Sequence, residues 1–291
     1  MNISEYLIFR HTISEIRYPP KIGYGEQISE PEIETIESIL SNNMMKMSNF
    51  ACFVSGGLDS SLLAAMSRPP VIYCATFPDS PYDEGYWAKI VAKHIGAAYC
   101  PVEIKKEEYL ATLELLMRTK QDGLHPNEPC LFIVAKKAKQ AGFNIMISGE
   151  GADDIFGGYS DLLEHEREYM KDKETFLNRY AYMRPSLVNL PEDIPFEKFK
   201  EWGMEQFILR IHTPGLISRA RNACYAAGMD VKFPYMEGDL AQYMWNCKRE
   251  FKKEKNTLKK LAEKYLPREI IDRKKIGFPV PLDEWLGEKG I

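Results

Sequence analysis

Residues 50–61 read Phe50-Ala51-Cys52-Phe53-Val54-Ser55-Gly56-Gly57-Leu58-Asp59-Ser60-Ser61. The first five suit a buried strand, and a helix-like segment follows the two glycines. Glycine lets the backbone approach a ligand, serine hydroxyls donate hydrogen bonds, and a helix start attracts anions. A carboxylate in such a turn repels phosphate unless a cation such as Mg²⁺ lies between them. The pattern predicts a phosphate-binding turn formed by Ser55, Gly56, Gly57, Asp59, Ser60 and Ser61.

Strand-like and helix-like segments alternate around this turn. The predicted strands are Phe50–Val54, Val71–Phe77, Ala98–Val102 and Asn144–Ile147, and the helices between them lie near 83–95, 109–117 and 131–141. This alternation predicts an α/β fold with a doubly wound parallel sheet, whose ligands bind at the carboxyl ends of the strands. After Tyr159 the strand signal fades, and a helical C-terminal half is predicted from the segments 161–183, 196–210, 216–227, 238–247 and 256–265.

Composition narrows the class of protein. The chain has 291 residues, a net charge of −4, and 45% hydrophobic residues, as in an ordinary globular protein. The absence of net positive charge argues against a dedicated nucleic-acid binder. Six scattered cysteines without a Cys-x-x-Cys pair suggest reduced thiols and no zinc site. No apolar run reaches membrane-spanning length, and no signal peptide opens the chain, so we expect a cytoplasmic protein.

A second glycine-rich loop follows the predicted strand Asn144–Ile147. It reads Ser148-Gly149-Glu150-Gly151-Ala152-Asp153-Asp154-Ile155-Phe156-Gly157-Gly158-Tyr159. Three acidic residues within five positions would simply be solvated in an ordinary turn. At the end of a strand opposite a phosphate turn, they can hold Mg²⁺ and supply a general base.

The two loops together resemble the synthetase domain of glutamine-dependent asparagine synthetases, which belong to the PP-loop ATP pyrophosphatases of HUP-like fold. The resemblance implies that ATP and Mg²⁺ bind here and that ATP is split to AMP and pyrophosphate. Asp59 and Asp153 would hold the metal, and Ser148 and Gly149 would join the nucleotide site. Glu150 would lie at the reacting carbonyl and assist the incoming amine.

Three further segments carry the same resemblance. The loop Arg273-Lys274-Lys275-Ile276-Gly277-Phe278-Pro279-Val280-Pro281 is similar to the family's Arg-x-Lys-x-Gly-Phe-Pro-x-Pro. By this likeness Lys275 would stabilise negative charge on the α-phosphate, with help from Arg273. Lys255, in Lys-Asn-Thr-Leu-Lys, matches a nucleotide-binding lysine less specifically. Thr76 and Phe77, at the end of the second predicted strand, would present backbone to the adenine edge.

The chain also departs from the family. The segment Lys232-Phe233-Pro234-Tyr235-Met236-Glu237 resembles a diverged acceptor-side motif, and Arg221 stands where many relatives carry an acidic residue. We expect residues 1–28 to be an extension resembling the tail of a glutaminase domain, 29–160 the nucleotide-binding part, and 161–291 a helical part that closes the active site. The family's glutaminase uses an N-terminal cysteine as its nucleophile, and this sequence begins Met1-Asn2-Ile3, so we expect that this chain does not hydrolyse glutamine by itself.

These observations favour an ATP-dependent amide ligase that activates a small carboxylate, with aspartate as one option, and transfers an amine to it. The amine would be free ammonia, ammonia from a separate glutaminase subunit, or another amine. A specialised ligase or cyclase, similar to β-lactam synthetases or lasso-peptide cyclases, uses the same adenylation, although Glu150 disfavours the β-lactam branch. Modification of tRNA would need a basic surface, and an inactive partner subunit would not need these acidic and basic residues.

Overall fold

The computed structural model describes residues 27–28, 30–45, 47–78, 80–81, 83–120, 124–180, 194–278 and 280–286. The predicted N-terminal extension, residues 1–28, therefore lies outside the described residues except for its last two positions. The chain forms two compact units, each assembled from separated segments. The sheet unit comprises Leu40–Gly149, Arg219–Pro234 and the described residues from Lys259 onward, and the helical unit comprises the described residues up to Ile39, Glu150–Ser218 and Tyr235–Leu258.

The sheet unit is built on five parallel strands. They are β1 (Phe50–Phe53), β2 (Val71–Thr76), β3 (Ala98–Glu103), β4 (Ile145–Ile147) and β5 (Asp230–Lys232), in the spatial order β3-β2-β1-β4-β5. In the central strand, Cys52 is in register with Ile72 on one side and Ile147 on the other. The order runs outward in both directions from β1, which confirms the predicted doubly wound parallel sheet.

The fifth strand was missed by the sequence prediction, which gave only helices after Tyr159. The strand β5 pairs with β4 through Met146 and Val231, and it continues the sheet beyond the acidic loop's strand. Val231 is buried between two polar residues, Asp230 and Lys232, so the segment offers one apolar position and no usable period. Its strand conformation follows from pairing with the sheet, which is a tertiary effect.

Helices connect the strands with bounds close to those predicted. Within the described residues up to β4 they are Ile33–Met44, Leu58–Ser67, Gly85–Ile95, Lys106–Lys120 and Glu128–Gln140. Gly96 ends its helix in the left-handed region (φ 73°), as expected for a glycine stop. The predicted start near residue 83 is two residues early, because this helix begins at Gly85 and Glu84 occupies the cap position.

After β4 the described residues are mainly helical, which confirms the predicted helical C-terminal half; positions 181–183 of the predicted segment 161–183 lie outside the described residues. The helices are Ala152–Ile155, Ser160–Glu164, Glu166–Tyr169, Lys173–Tyr180, Phe196–Phe207, Thr213–Ala226, Leu240–Asn246, Arg249–Lys252, Asn256–Ala262, Arg268–Ile271 and Leu282–Leu286, with a π-helical turn at Ile208–His212 and a 3₁₀ turn at Lys253–Lys255. The helical unit has its own aromatic core, in which Phe176 and Phe199 each lie 5.0 Å from Phe207 between ring centroids. Such packing lets this unit bury apolar surface independently of the sheet.

Among the described residues, no helix combines the length and apolar character needed to cross a membrane.

Candidate active site

The turn between β1 and the helix Leu58–Ser67 has a backbone that only glycine fits. Gly56 has φ +74°, and a Cβ added there would lie 2.6 Å from the carbonyl carbon of Trp87 and 2.7 Å from the amide nitrogen of Ala88. The neighbouring atoms belong to the backbone of the helix Gly85–Ile95, so they cannot rotate away. This contact presses the turn against that helix and fixes its path.

Serine hydroxyls hold the turn internally. The amide of Gly57 donates to Ser55 Oγ (3.2 Å), and the amide of Ser55 donates to Ser60 Oγ (3.3 Å). No side chain caps the start of the helix at Gly57. Ser61 is fully buried, and its hydroxyl oxygen has no hydrogen-bond partner among the described residues. The turn therefore presents neutral donors beside a helix start, as a phosphate site requires.

The end of β4 lies beside this turn within the sheet unit. The amide of Ser148 donates to the carbonyl of Lys232 (3.0 Å), which anchors the strand end to β5. A Cβ on Gly149 would lie 2.9 Å from the amide nitrogen of Ser60 and 3.2 Å from the carbonyl carbon of Asp59. The fold thus brings together Ser148, Gly149 and the first turn, as expected for loops at the carboxyl edge of adjacent parallel strands.

Arg273 lies against the first turn as a buried brace. Its guanidinium donates to Glu84 Oε1 (2.6 Å) and to the carbonyl oxygen of Ser55 (3.3 Å), and it stacks 5.1 Å from the centre of the Trp87 ring. The side chains of Arg273 and Glu84 are only 5% and 8% exposed. Sequence reasoning missed Glu84, because a carboxylate at the start of a helix is ordinary and gives no separate signal.

The electrostatics of this pair involve a third residue. Burial raises the pKa of Glu84 to about 7, although hydrogen bonding and charge from Arg273 oppose the rise. The positive charge of Lys275 also lowers the pKa of Glu84, so the two groups are close enough to interact. Lys275 itself is exposed, which leaves its ammonium accessible to a ligand at this edge of the sheet unit.

The backbone at Thr76 and Phe77 is already engaged. The carbonyl of Thr76 accepts from the amide of Ile104 (3.0 Å), and the amide of Phe77 donates to Asp83 Oδ1 (2.6 Å). The ring of Phe77 lies 6.0 Å from that of Trp285. An adenine bound at this strand end would have to form hydrogen bonds with the second lone pairs of the carbonyl oxygens. The assignment of Thr76 and Phe77 to the adenine site stays a prediction.

The acidic loop belongs to the helical unit from Glu150 onward. Gly151 has φ +96°, and a Cβ there would collide with the side chain of Met236. Glu150 is half-buried, and Asp153 forms an ion pair with Lys255, with 2.6 Å between Oδ1 and Nζ. The structure therefore joins two of the predicted residues, Asp153 and Lys255, at one point of this unit.

Asp154, the next residue, has a different environment. It is buried, and the hydroxyl of Thr213 lies 2.5 Å from its Oδ1 and 3.0 Å from the carbonyl of Ile208. Burial raises the pKa of Asp154 to about 7. The Thr213 hydroxyl is the donor to both acceptors, Asp154 Oδ1 and the carbonyl oxygen of Ile208, and shares its single proton between them. Asp154 thus fixes the loop to the π-helical turn, a role that its sequence position did not reveal.

Arg221 and the acceptor-side residue Lys232 each have a partner within the sheet unit. Arg221 lies 5.7 Å above the ring of Phe233, and Lys232 pairs with Asp230 (3.1 Å). Nearby in the sequence, Asn222 donates to Glu128 (2.7 Å), a fully buried carboxylate that also accepts from Lys120 (2.8 Å). Sequence reasoning missed Glu128, which precedes a proline at a helix start and therefore resembles an ordinary N-terminal acidic residue.

The donor set fits ATP and Mg²⁺ on chemical grounds. The first turn supplies uncharged amide and hydroxyl groups, and the loops supply carboxylates at Asp59 and Asp153. In the described part of the chain, no group of three or more His, Cys, Asp and Glu side chains forms a metal site. Mg²⁺ is commonly bound by one or two carboxylates together with substrate phosphates, so a preformed cage is not required.

Comparison with known proteins gives a consistent family. A family model described as asparagine synthase matches residues 34–290. Asparagine synthetase [glutamine-hydrolyzing] 1 of Bacillus subtilis (strain 168) is 26% identical over 80% of this chain and 46% of its own length. Asparagine synthetase B [glutamine-hydrolyzing] of Escherichia coli (strain K12) is 21% identical over 84% of this chain and 43% of its own. The chain thus spans less than half the length of these curated relatives.

Proposed function

The chain belongs to the asparagine synthase family, and from this premise we propose that it is an ATP-dependent amide ligase of the asparagine synthetase type. In the proposed reaction a carboxylate oxygen attacks the α-phosphorus of ATP, and the bond to the β-phosphate oxygen breaks, which releases pyrophosphate. An amine then attacks the acyl carbon of the adenylate, loses a proton, and displaces AMP. The strongest support is the glycine turn at Gly56, which packs against the helix Gly85–Ile95, together with Gly149, which lies against Ser60.

The residues of the first turn are proposed to bind the pyrophosphate portion of ATP. Their amides and hydroxyls are uncharged donors, and phosphate oxygens would replace the hydrogen bonds that now hold the turn internally. Ser148 and Gly149 contribute to the same edge of the sheet unit. The nucleotide set consists of Ser55, Gly56, Gly57, Asp59, Ser60, Ser61, Ser148, Gly149 and Lys255, with Thr76 and Phe77 near adenine.

Asp59 and Asp153 are the proposed metal ligands. Mg²⁺, when bound, neutralises charge on the phosphate oxygens and on the leaving pyrophosphate. Both carboxylates are half-buried, which leaves them accessible yet shields them from bulk water. Asp153 already carries a cationic partner in Lys255, so a positive charge at this carboxylate is compatible with the loop.

Two residues are proposed to act on the reacting groups, and a third is proposed to position the first turn. Glu150 accepts the proton of the attacking amine, and its half-buried position next to Gly151 suits a general base. Lys275 stabilises the negative charge that builds up on the α-phosphate. Arg273 acts through another group: it holds the Ser55 carbonyl and so positions the turn. Its predicted direct assistance in catalysis stays a prediction.

Aspartate is the first carboxylate to test, because the relatives are named asparagine synthetases. Those relatives are also named glutamine-hydrolyzing, so ammonia is the proposed amine, supplied free or by a separate glutaminase subunit. By the resemblance to the family, many relatives carry an acidic residue where this chain has Arg221. This difference is the reason to test other carboxylates as well. We propose the same adenylation for whichever carboxylate is accepted.

The experiment is an assay of pyrophosphate release with Mg²⁺-ATP and L-aspartate, with and without ammonium. We expect release, with asparagine formed only when ammonium is present. Lys275→Ala should lower release by about 100-fold or more while ATP binding is retained, because the lost charge acts on the transition state. The control is Lys274→Ala, which removes the neighbouring exposed lysine and should behave as wild type. Wild-type turnover in Lys275→Ala, or release of ADP and orthophosphate, would contradict the proposal.

A further inference from the structure

The ion pair between Asp153 and Lys255 lies at a point where a metal ligand is proposed. The Nζ of Lys255 is 2.6 Å from Oδ1 of Asp153, and the two side chains are 10% and 17% exposed. At this distance and burial the ammonium neutralises most of the charge of the carboxylate. Asp153 therefore already has a cation, supplied by the chain itself.

An unusual backbone conformation at Lys255 places its side chain beside Asp153. Glu254 (φ 52°) and Lys255 (φ 59°) are two consecutive non-glycine residues in the left-handed region, which is costly for side chains with a Cβ. Such strain persists only where the surroundings impose it. Here the preceding helix is fixed, because Lys252 is buried and pairs with Glu205.

Glycines on the acidic loop leave room for the same contact. A Cβ on Gly158 would lie 2.6 Å from Cε of Lys255 and 2.7 Å from Cγ of Asp153. A Cβ on Gly157 would lie 3.0 Å from the carbonyl carbon of Lys252. The loop and the lysine segment are therefore fitted to one another, and the ion pair is a built feature of the helical unit.

We propose that Lys255 acts as an internal counter-ion that keeps free divalent cations off Asp153 until a nucleotide is bound. A divalent cation entering next to the ammonium would place three positive charges around one carboxylate. Phosphate oxygens change this balance, because their negative charge lets the ammonium leave Asp153 and contact the nucleotide while the metal takes its place. This inference rests on the proposed function, which assigns Asp153 to the metal and Lys255 to the nucleotide.

The consequence is positive coupling between metal and nucleotide. Without nucleotide, a metal must displace the lysine and leave its charge uncompensated in a largely enclosed place. With nucleotide, the displaced ammonium has a new anionic partner. The two ligands should therefore each strengthen the binding of the other by the same factor, as linkage requires.

The test is a titration with Mn²⁺ as the probe, followed by electron paramagnetic resonance of the free ion at pH 8. Wild-type protein should bind Mn²⁺ weakly alone and about tenfold or more tightly in the presence of an ATP analogue that cannot be cleaved between its α- and β-phosphates. Lys255→Met should bind Mn²⁺ without nucleotide about tenfold more tightly than wild type. The additional substitution Asp153→Asn should abolish that gain.

The matched control is Lys253→Met, which removes the same charge two residues away, from an exposed pair with Glu164. It should leave Mn²⁺ binding unchanged. A folded Lys255→Met protein with wild-type Mn²⁺ affinity would overturn the proposal, as would a gain that survives Asp153→Asn. If the lysine variant does not fold, equal wild-type Mn²⁺ affinity with and without the analogue overturns it. Loss of pyrophosphate release with this coupling intact would instead refute only the proposed function.

Discussion

Each of the two loops has its own cation–carboxylate pair. In the sheet unit, Arg273 and Glu84 support the first turn. In the helical unit, Lys255 and Asp153 hold the acidic loop, and each pair has 2.6 Å between nitrogen and oxygen. The arginine also contacts the Ser55 carbonyl and the Trp87 ring. The first pair is therefore tied to its surroundings at several points, and the side chains of the second pair are somewhat more exposed, at 10% and 17% against 5% and 8%.

The chemistry of the two cations agrees with this difference. Guanidinium is planar, always charged, and able to bond several acceptors in a fixed geometry, which suits a permanent brace. An ammonium on a flexible stem is a point charge that can move to another anion. Equal ion-pair distances can therefore serve different ends: Arg273 and Glu84 hold the first turn in shape, and in our proposal Lys255 occupies Asp153 until a ligand replaces it.

The largest expected effect is on stability, from removing the brace. Arg273→Met leaves Glu84 buried without its partner, and we expect the free energy of unfolding to fall by about 3–5 kcal/mol. Lys255→Met should cost about 1–2 kcal/mol, because Asp153 keeps part of its access to water. Urea denaturation of both variants checks the difference. Equal losses in the free energy of unfolding would contradict the distinction between a permanent brace and a counter-ion that a ligand can displace.

The glycines beside the two pairs provide the next test. Gly56→Ala should cost about 2–4 kcal/mol, because its Cβ meets the fixed backbone of Trp87 and Ala88. Gly158→Ala meets only the ends of Asp153 and Lys255, which can move, so we expect about 1 kcal/mol. Urea denaturation again measures both.

Gly96→Ala is the control for backbone strain alone. It has φ +73°, nearly that of Gly56, but nothing lies within 4 Å of an added Cβ. It should cost about 1–2 kcal/mol from the left-handed conformation. A loss at Gly56 no larger than that at Gly96 would show that the contact with the neighbouring helix does not constrain the turn.

The smallest expected effect is a pH dependence from Glu84. Its pKa is raised to about 7, so the folded state binds this proton more tightly than the unfolded state does. The free energy of unfolding should therefore fall as the pH rises from about 4.5 to 7. Glu84→Gln should lower this slope, whereas Asp154, with its own raised pKa, contributes equally to both proteins. Parallel pH profiles from urea denaturation at pH 5, 6, 7 and 8 would contradict the assignment.

The sequence predicted the features that depend on local pattern. The strand before Ser55, the helix after Gly57 and the loop at Ser148 all follow from apolar runs and glycine positions, and the structure confirms them. The family was recognised from the residues themselves, and the family model confirms that recognition. The predicted boundaries near residues 28 and 160 stay predictions, and so do the roles of the site residues.

The remaining features depend on contacts between distant segments. The strand β5 exists because it pairs with β4, and the residues Asp230 to Lys232 show no strand period. The buried pair between Arg273 and Glu84 joins positions that are 189 residues apart. The backbone at Glu254 and Lys255 is left-handed although neither residue is glycine, so the sequence gives no signal for this conformation. Such features cannot be read from neighbouring residues, because tertiary packing imposes them.

The proposed activation of the carboxylate as an acyl-adenylate is tested most directly by tracing an oxygen atom from the carboxylate to AMP. A carboxylate substrate labelled with ¹⁸O in both oxygens is turned over with Mg²⁺-ATP and ammonium, and the AMP is analysed by mass spectrometry. If a carboxylate oxygen attacks the α-phosphorus and remains on phosphate when the amine displaces AMP, one ¹⁸O appears in AMP. Unlabelled AMP, or ¹⁸O in orthophosphate together with ADP, would contradict activation as an acyl-adenylate.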